Sequence, residues 1–428
     1  MIISRTRYSD LIEKGVVFSL LVYPSALLLV KGGMNGTMIL MLLLALLTRM
    51  LPATSSHAPI WQKEWWLYIA AMFGMSIAIL ISQIANDDLL ARPHDAASRY
   101  WLALPIFWFL LRVRPTVFIA LQYAFPIAAI LGWFFAVDKN DGAGFTLPWL
   151  NKILFGDYLL LFGTLSLFSV DWFSKDSLYL RLYKWAGFAF GLLATLHSGT
   201  RGALLAIPVF ITIYLYLRGY RLSLKVLASS FILGLLVLSI AYFSSPTMQQ
   251  RLQILSNDIV TYRDGNRDTS TGQRWQLNIA AVKIFLQHPI AGVGPEVVGG
   301  KPDGFAKEIQ KMWEAGELSD TAADIGRCCQ AHNEILAKAA DLGILGVSAL
   351  LALYLVPLQL FWRATKVANN VKKRAGILGI TLVSGHFIFG LTVGLLGLTM
   401  TAAFYAFSVA VLLAACYNID KSTETFPS

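Results

Sequence analysis

Charge and cysteine are both scarce in this chain. Only 14% of its 428 residues are Asp, Glu, Lys or Arg, while 56% are hydrophobic. A soluble protein of this length cannot hide so much apolar surface in one core. Of the three cysteines, Cys328 and Cys329 are adjacent, which is poor disulfide geometry, and Cys416 falls in the last apolar run. There is no CxxC and no Cys/His metal spacing, so neither a disulfide framework nor a structural zinc is expected. Also missing are a phosphate-binding P-loop, a dinucleotide fingerprint, an acidic cluster suited to Mg²⁺ or Mn²⁺, and any internal repeat. The formal net charge of +10 comes with no nucleic-acid motif, and its first explanation is the enrichment of Lys and Arg in cytoplasmic loops. No cleavable signal is expected, because the apolar run after Arg5, Arg7 and Lys14 continues as an ordinary span.

Long apolar runs are what the chain has in abundance. A membrane helix needs ~20 mostly apolar residues, and about twelve such windows are expected on that criterion. They fall near 15–31, 34–51, 65–84, 98–112, 116–137, 152–171, 183–198, 201–218, 222–243, 333–362, 374–395 and 397–418. The expected class is all-α, a polytopic membrane protein. Basic residues gather in alternate loops, at Lys63, Arg112, Arg114, Lys175, Arg181, Lys184, Arg218, Arg221, Lys225 and between Arg363 and Arg374. The intervening short loops hold Asp87, Asp88, Asp138 and Asp141. That asymmetry predicts both termini inside and the 244–331 block outside. The tryptophans Trp61, Trp65, Trp66, Trp101 and Trp108 read as interface belts or lipid-facing packing.

The chain thus divides into spans over 1–243, one large extramembrane loop over 244–331, spans over 332–418, and a polar tail over 419–428. Within the loop, residues 271–288 place Trp275, Ile279, Val282 and Leu286 at helical spacing. Pro289 stops that helix, and Ala291-Gly292-Val293-Gly294-Pro295 makes a glycine-rich turn. A second amphipathic piece is expected over about 303–316, and both helices would lie on the membrane with basic faces toward headgroups.

Three positions on the outer side carry candidate chemistry. Arg201 begins a span after His197-Ser198-Gly199-Thr200. It is either a snorkelling arginine or part of an anion site built from the backbone N–H groups of a helix start. Arg274, near the start of the loop helix, is either a solvated arginine or an anion ligand that offsets its unfavourable place against the helix dipole. His332 stands at the N-terminal edge of a long membrane helix, where the dipole disfavours imidazolium and keeps the ring neutral and able to accept a proton. His57, His94, His288 and His386 keep ordinary structural readings. A neutral imidazole beside two arginines suits activation of a hydroxyl while the arginines hold an anionic leaving group.

These residues lie in segments that resemble a known family. Ser198-Gly199-Thr200-Arg201-Gly202-Ala203-Leu204-Leu205, Arg274…His288-Pro289-Ile290-Ala291-Gly292-Val293-Gly294 and His332-Asn333-Glu334-Ile335-Leu336…Leu342-Gly343-Ile344-Leu345-Gly346 resemble, in order and spacing, motifs of the O-antigen ligase (WaaL) family. That family belongs to the O-antigen ligase and Wzy polymerase superfamily. The resemblance, over roughly residues 185–350, implies an inner-membrane glycosyltransferase of the GT-C type that needs no metal and no cofactor. It implies transfer of a glycan from undecaprenyl pyrophosphate to the lipid A–core of lipopolysaccharide on the periplasmic side, with inversion. By that resemblance His332 is the base that deprotonates the acceptor, and Arg201 and Arg274 bind the pyrophosphate. It would also explain the basic loop, since Arg251, Arg263, Arg267, Lys301, Lys307 and Lys311 would face an anionic acceptor. An O-antigen polymerase, a protein O-oligosaccharyltransferase and, more remotely, a lipid-glycan transporter stay open as alternatives, because fold-level likeness does not name the acceptor.

Overall fold

The computed structural model describes residues 2–50, 61–139, 144–244, 246–264, 266–295, 304–328 and 331–418. His57, Asp141, Lys301, Cys329 and the tail from residue 419 lie outside them, as do the side chains of Arg5, Arg7, Arg251 and Cys328.

The chain is mostly helix. In order the helices are α1 (Ile2–Leu29), α2 (Gly33–Met50), α3 (Trp65–Ala85), α4 (His94–Leu110), α5 (Leu121–Phe135), α6 (Lys152–Phe168), α7 (Leu178–Ser198), α8 (Arg201–Leu204), α9 (Ile207–Leu217) and α10 (Leu224–Ser244). Then come α11 (Pro246–Arg263), α12 (Ser270–Gln287), α13 (Gly304–Glu314), α14 (Asp320–Cys328), α15 (Glu334–Ala364), α16 (Asn370–Gly390) and α17 (Thr399–Asn418). A short antiparallel pair, β1 (Val137–Lys139) and β2 (Gly144–Thr146), follows α5.

Among the described residues five segments are long and apolar enough to cross a bilayer: Asp10–Leu29, Trp65–Ala85, Pro115–Phe135, Glu334–Ala364 and Thr399–Asn418. Gly33–Thr48, Arg201–Leu217 and Leu224–Leu236 are shorter apolar helices. The bundle is that of a multi-pass membrane protein. Its centre is α17, whose apolar window is 89% buried, with Phe404 and Tyr405 packed on Tyr23, Tyr158, Tyr354 and His386.

Loops sort to two ends of this bundle. At one end Arg363 pairs with Glu64 at 2.8 Å, Trp172 donates to Val371 O, and Asn418 donates to Leu110 O and Val113 O. The same end holds a buried ion pair, Lys184 Nζ to Asp176 at 2.8 Å. At the other end Ser82 and Asn86 bond to Ala291 O and Gly292 O, Tyr100 bonds to Leu396 O, and Phe145 of β2 lies against His197.

Two expectations are corrected here. Trp65 is not at an interface but buried, edge-on to Phe107 and Tyr417, while Trp61 and Trp66 are exposed. The helix expected over 201–218 breaks after Leu204, so α8 is one turn and α9 restarts at Ile207, with Pro208 in its first turn.

The 246–331 segment has a small core of its own. Leu277, Ala280, Ala281 and Ile284 of α12 meet Phe305 and Ile309 of α13, Leu318 and Ala323, and this cluster includes Ala331 and Ala340. The stripe of Trp275, Ile279, Val282 and Leu286 is exposed and lies outside this core. Small alanines allow close helix packing, so the buried face of α12 is the less hydrophobic one. Helix α13 turns Phe305, Ala306 and Ile309 into that core.

Candidate active site

The start of α15 sets the site. Asn333 caps the helix, its Oδ1 accepting from Ile335 N at 3.0 Å and Leu336 N at 3.1 Å. His332 therefore sits one residue outside the helix start, half-buried, where the positive end of the dipole opposes a charged ring. Burial holds its pKa below the usual imidazole value, and the Arg274 charge adds to the same effect. The two residues are 58 apart in sequence, and the fold brings the Arg274 charge near enough to act on the ring.

Arg274 reaches this place because α12 is firmly held. Thr269 caps it, Thr271 bonds to Asp258 at 2.8 Å, and Gln276 links Arg267 O to Ser319 N. The helix begins at Ser270, which puts Arg274 beyond the first turn, where the dipole penalty expected from the sequence has largely faded. The residue is exposed, and desolvation by the neighbouring protein lowers its pKa. An arginine so lowered still carries its charge at neutral pH.

Arg201 approaches from another side. Gly199, at φ 66°, ends α7 in the left-handed conformation, and Thr200 leads into α8. The Thr200 hydroxyl donates to Lys152 O at 2.9 Å and its N–H donates to Ser198 Oγ at 3.3 Å. The turn's backbone is thus partly committed internally, and a one-turn helix is not the anion-binding helix start that the sequence suggested. What remains there is Arg201 itself, half-buried. Gly202 beside it is pressed against Thr392, close enough that a Cβ would lie 2.3 Å from Thr392 Oγ1. Thr392 belongs to the 391–398 turn between α16 and α17, and Asn333 Nδ2 donates to Leu391 O of that turn at 3.4 Å. His332 thus lies within reach of the Arg274 charge, and the Arg201 turn is joined to the start of α15 through residues 391–392.

The remaining motif residues make a joint. Helix α15 kinks at Gly343, whose φ 62° and ψ −152° break the helical ladder. The carbonyls released there are taken by the loop: Val293 N donates to Ala340 O at 3.1 Å and Gly294 N to Asp341 O at 3.0 Å. The freed Ile344 N donates to Pro289 O at 2.8 Å. Gly292 lies so near that a Cβ on it would be 2.2 Å from Asp341 C. Irregular backbone is tolerated here because Ala340 O, Asp341 O and Ile344 N each find a protein partner. The Pro-x-x-Gly-x-Gly segment and the Gly-Ile-x-Gly segment are two halves of one contact.

Comparison with known sequences agrees with this geometry. The O-antigen ligase family model matches residues 186–351, a stretch that contains Arg201, Arg274, His332 and both halves of the joint. Residues 186–351 thus resemble an O-antigen ligase domain. It is 25% identical over 317 residues to an uncharacterized protein of Haemophilus influenzae, covering 72% of this chain and 76% of that protein. It is also 25% identical over 260 residues to the O-antigen ligase of Escherichia coli K12, covering 60% of this chain and 57% of that enzyme. The aligned part thus spans little more than half of the E. coli ligase.

The O-antigen ligase domain leaves part of the site to its flanks. The 391–398 turn, Tyr100 of α4 and Ser82 of α3 lie outside the matched stretch. Sequence reasoning missed all three, since none stands in a recognisable motif. It also missed Glu334 as more than a motif letter, although a carboxylate at the entry to a membrane helix was signal enough to ask for its partner. Of the basic loop residues, Lys307 and Lys311 border a cavity of about 720 Å³ together with Arg327, His288, Gln83, Asn86 and Asp88. Lys311 is paired with Glu308 and Arg327 with Asp324, so that rim is less positive than its composition implies. The cavity does not include His332, Arg201 or Arg274. Among the described residues no three His, Cys, Asp or Glu side chains are grouped as a metal site would need.

Proposed function

We propose that this protein is an O-antigen ligase, transferring a glycan from undecaprenyl pyrophosphate to the lipid A–core oligosaccharide of lipopolysaccharide. In this reading the bundle crosses the inner membrane about twelve times, with the 244–331 block on the periplasmic side and both termini in the cytoplasm. The observation that carries it is the His332–Arg274 pair at the mouth of α15, tied to the Arg201 turn.

The chemistry follows from the charges. A neutral His332 takes the proton of the acceptor hydroxyl as its oxygen attacks the anomeric carbon. The bond from that carbon to the pyrophosphate oxygen breaks on the opposite face, which inverts the centre. The leaving group gains negative charge as it departs, and Arg201 and Arg274 stabilise that charge more than the ground state. Pyrophosphate leaves without protonation, so the mechanism uses cationic side chains and calls for no metal.

The test is transfer in proteoliposomes with chelator present. The substrates are undecaprenyl-pyrophosphate-linked glycan and rough lipopolysaccharide, and wild type is compared with His332→Ala. Transfer by wild type that collapses in the folded variant is expected. Lengthening of the lipid-linked glycan without transfer to lipopolysaccharide would make the protein a polymerase of the same superfamily. Full activity in His332→Ala would remove His332 from the mechanism.

A further inference from the structure

Glu334 is the first residue of α15, and an acid in a helix's first turn is ordinarily explained by the dipole alone. Such an acid can sit in water. Glu334 is 1% exposed and uses both carboxylate oxygens on distant partners. Oε1 accepts from Leu396 N, 62 residues on, at 2.5 Å, and Oε2 accepts from the Tyr354 hydroxyl at 2.9 Å. A carboxylate is not kept out of water unless what it holds compensates the desolvation.

What it holds is the 391–398 turn. Leu396 is gripped twice, its N–H by Glu334 and its carbonyl by the Tyr100 hydroxyl at 2.7 Å. Helix α16 comes in close on the same carboxylate, since a Cβ on Gly390 would lie 2.8 Å from Oε2. The turn's other end carries Leu391, bonded by Asn333, and Thr392, seated on Gly202 next to Arg201. The pathway runs from Glu334 to Leu396, along the turn to Thr392, and across to the Arg201 backbone. His332 is two residues before Glu334, so one helix start carries both the candidate base and the anchor of the opposite wall.

We propose that Glu334 is a positioning residue, which fixes the distance between Arg201 and His332 by holding the turn between α16 and α17. Both of its oxygens are engaged and it is buried, so it does not itself touch substrate. This rests on the ligase reading for what is positioned, but not for the contact itself.

The experiment uses the full chain in proteoliposomes and two readouts. In the transfer assay Glu334→Ala lowers kcat on the order of 100-fold, as expected when a reacting arrangement shifts by about 1 Å. The acid limb of its pH profile stays in place, because the His332–Arg274 pair is untouched. Glu334→Gln keeps an acceptor for Leu396 N and a partner for the Tyr354 hydroxyl, and recovers activity to within about tenfold of wild type, the scale of one neutral hydrogen bond. Tyr354→Phe, a second probe that keeps the shape, falls between them. The other readout needs no turnover. With Cys328, Cys329 and Cys416 replaced, Thr392→Cys is shielded by Gly202 and reacts slowly with a maleimide, and adding Glu334→Ala speeds the reaction. Wild-type kcat in Glu334→Ala, or loss of activity with unchanged thiol reactivity, would overturn the inference. If wild type transfers nothing, the ligase reading fails, and the thiol rates still decide whether Glu334 holds the turn.

Discussion

Replacing Gly292 by alanine should unseat the 289–294 turn from α15. Gly292 has φ 64°, a conformation that costs a residue with a Cβ roughly 1–2 kcal/mol. The added Cβ would also lie 2.2 Å from Asp341 C, 2.3 Å from Asp341 O and 2.4 Å from Leu342 N. All three are backbone atoms of a packed helix and cannot swing aside, so the turn itself must retreat by about an ångström or more to restore normal contact. Val293 N–Ala340 O at 3.1 Å and Gly294 N–Asp341 O at 3.0 Å do not survive that retreat. At ~1 kcal/mol for each hydrogen bond and ~1 for the strain, the joint loses about 3 kcal/mol. Since every 1.4 kcal/mol is tenfold, amides around 290–294 and 340–345 should exchange with deuterium on the order of 100-fold faster. Peptides from α6 and α17 should not change. Ser82→Ala, which removes one hydroxyl proton shared between Ala291 O at 2.6 Å and Asp341 O at 3.3 Å, should accelerate the same peptides by about tenfold or less. Equal protection in wild type and Gly292→Ala would mean that the turn does not dock on the kink.

Three further outcomes follow from other parts of the molecule. His332 is active as the neutral ring, so transfer falls as pH drops through its pKa. Arg274→Gln removes one of the two causes that hold that pKa down, so the acid limb of the residual pH–rate profile should move to higher pH. An unmoved limb would mean that the two side chains do not interact. Lys184→Met strands Asp176 at a site where both side chains are at most 2% exposed, and should destabilise the bundle by ~3–5 kcal/mol. The double variant with Asp176→Asn should restore most of the melting temperature. On α12, Ala281→Leu should overpack the core for ~1–3 kcal/mol, whereas Leu286→Ala should stay within about 0.5 kcal/mol. The reverse order in a thermal melt would place the buried face of α12 on the Leu286 side.

The class of the molecule was plain in its apolar runs, and so was the end of the loop helix, because Pro289 stops it. The buried face of α12 was not, since hydropathy favours Trp275 and Leu286 while close packing uses Ala280 and Ala281. The three candidate residues were readable as outliers of charge or position. Their surroundings were not: the glycines at 292 and 343 looked like motif letters, and only a structure shows that each exists because the other's backbone is there. Glu334 was hidden for a related reason. Its partners stand 20 and 62 residues away, and no local pattern announces a hydrogen bond to Leu396.

The core of the 246–331 segment has a consequence for how the protein is made. Its cluster includes Ala340, with Leu336 packed against it, and both belong to α15. During synthesis α11 to α14 leave the ribosome first, and at that stage the cluster lacks these residues and the kink that receives the 289–294 turn. The segment completes its packing only after the start of α15 has been delivered to the same side of the bilayer. Its folding is therefore a readout of the insertion step that follows it, and the 246–331 segment expressed alone should not reach its packed state.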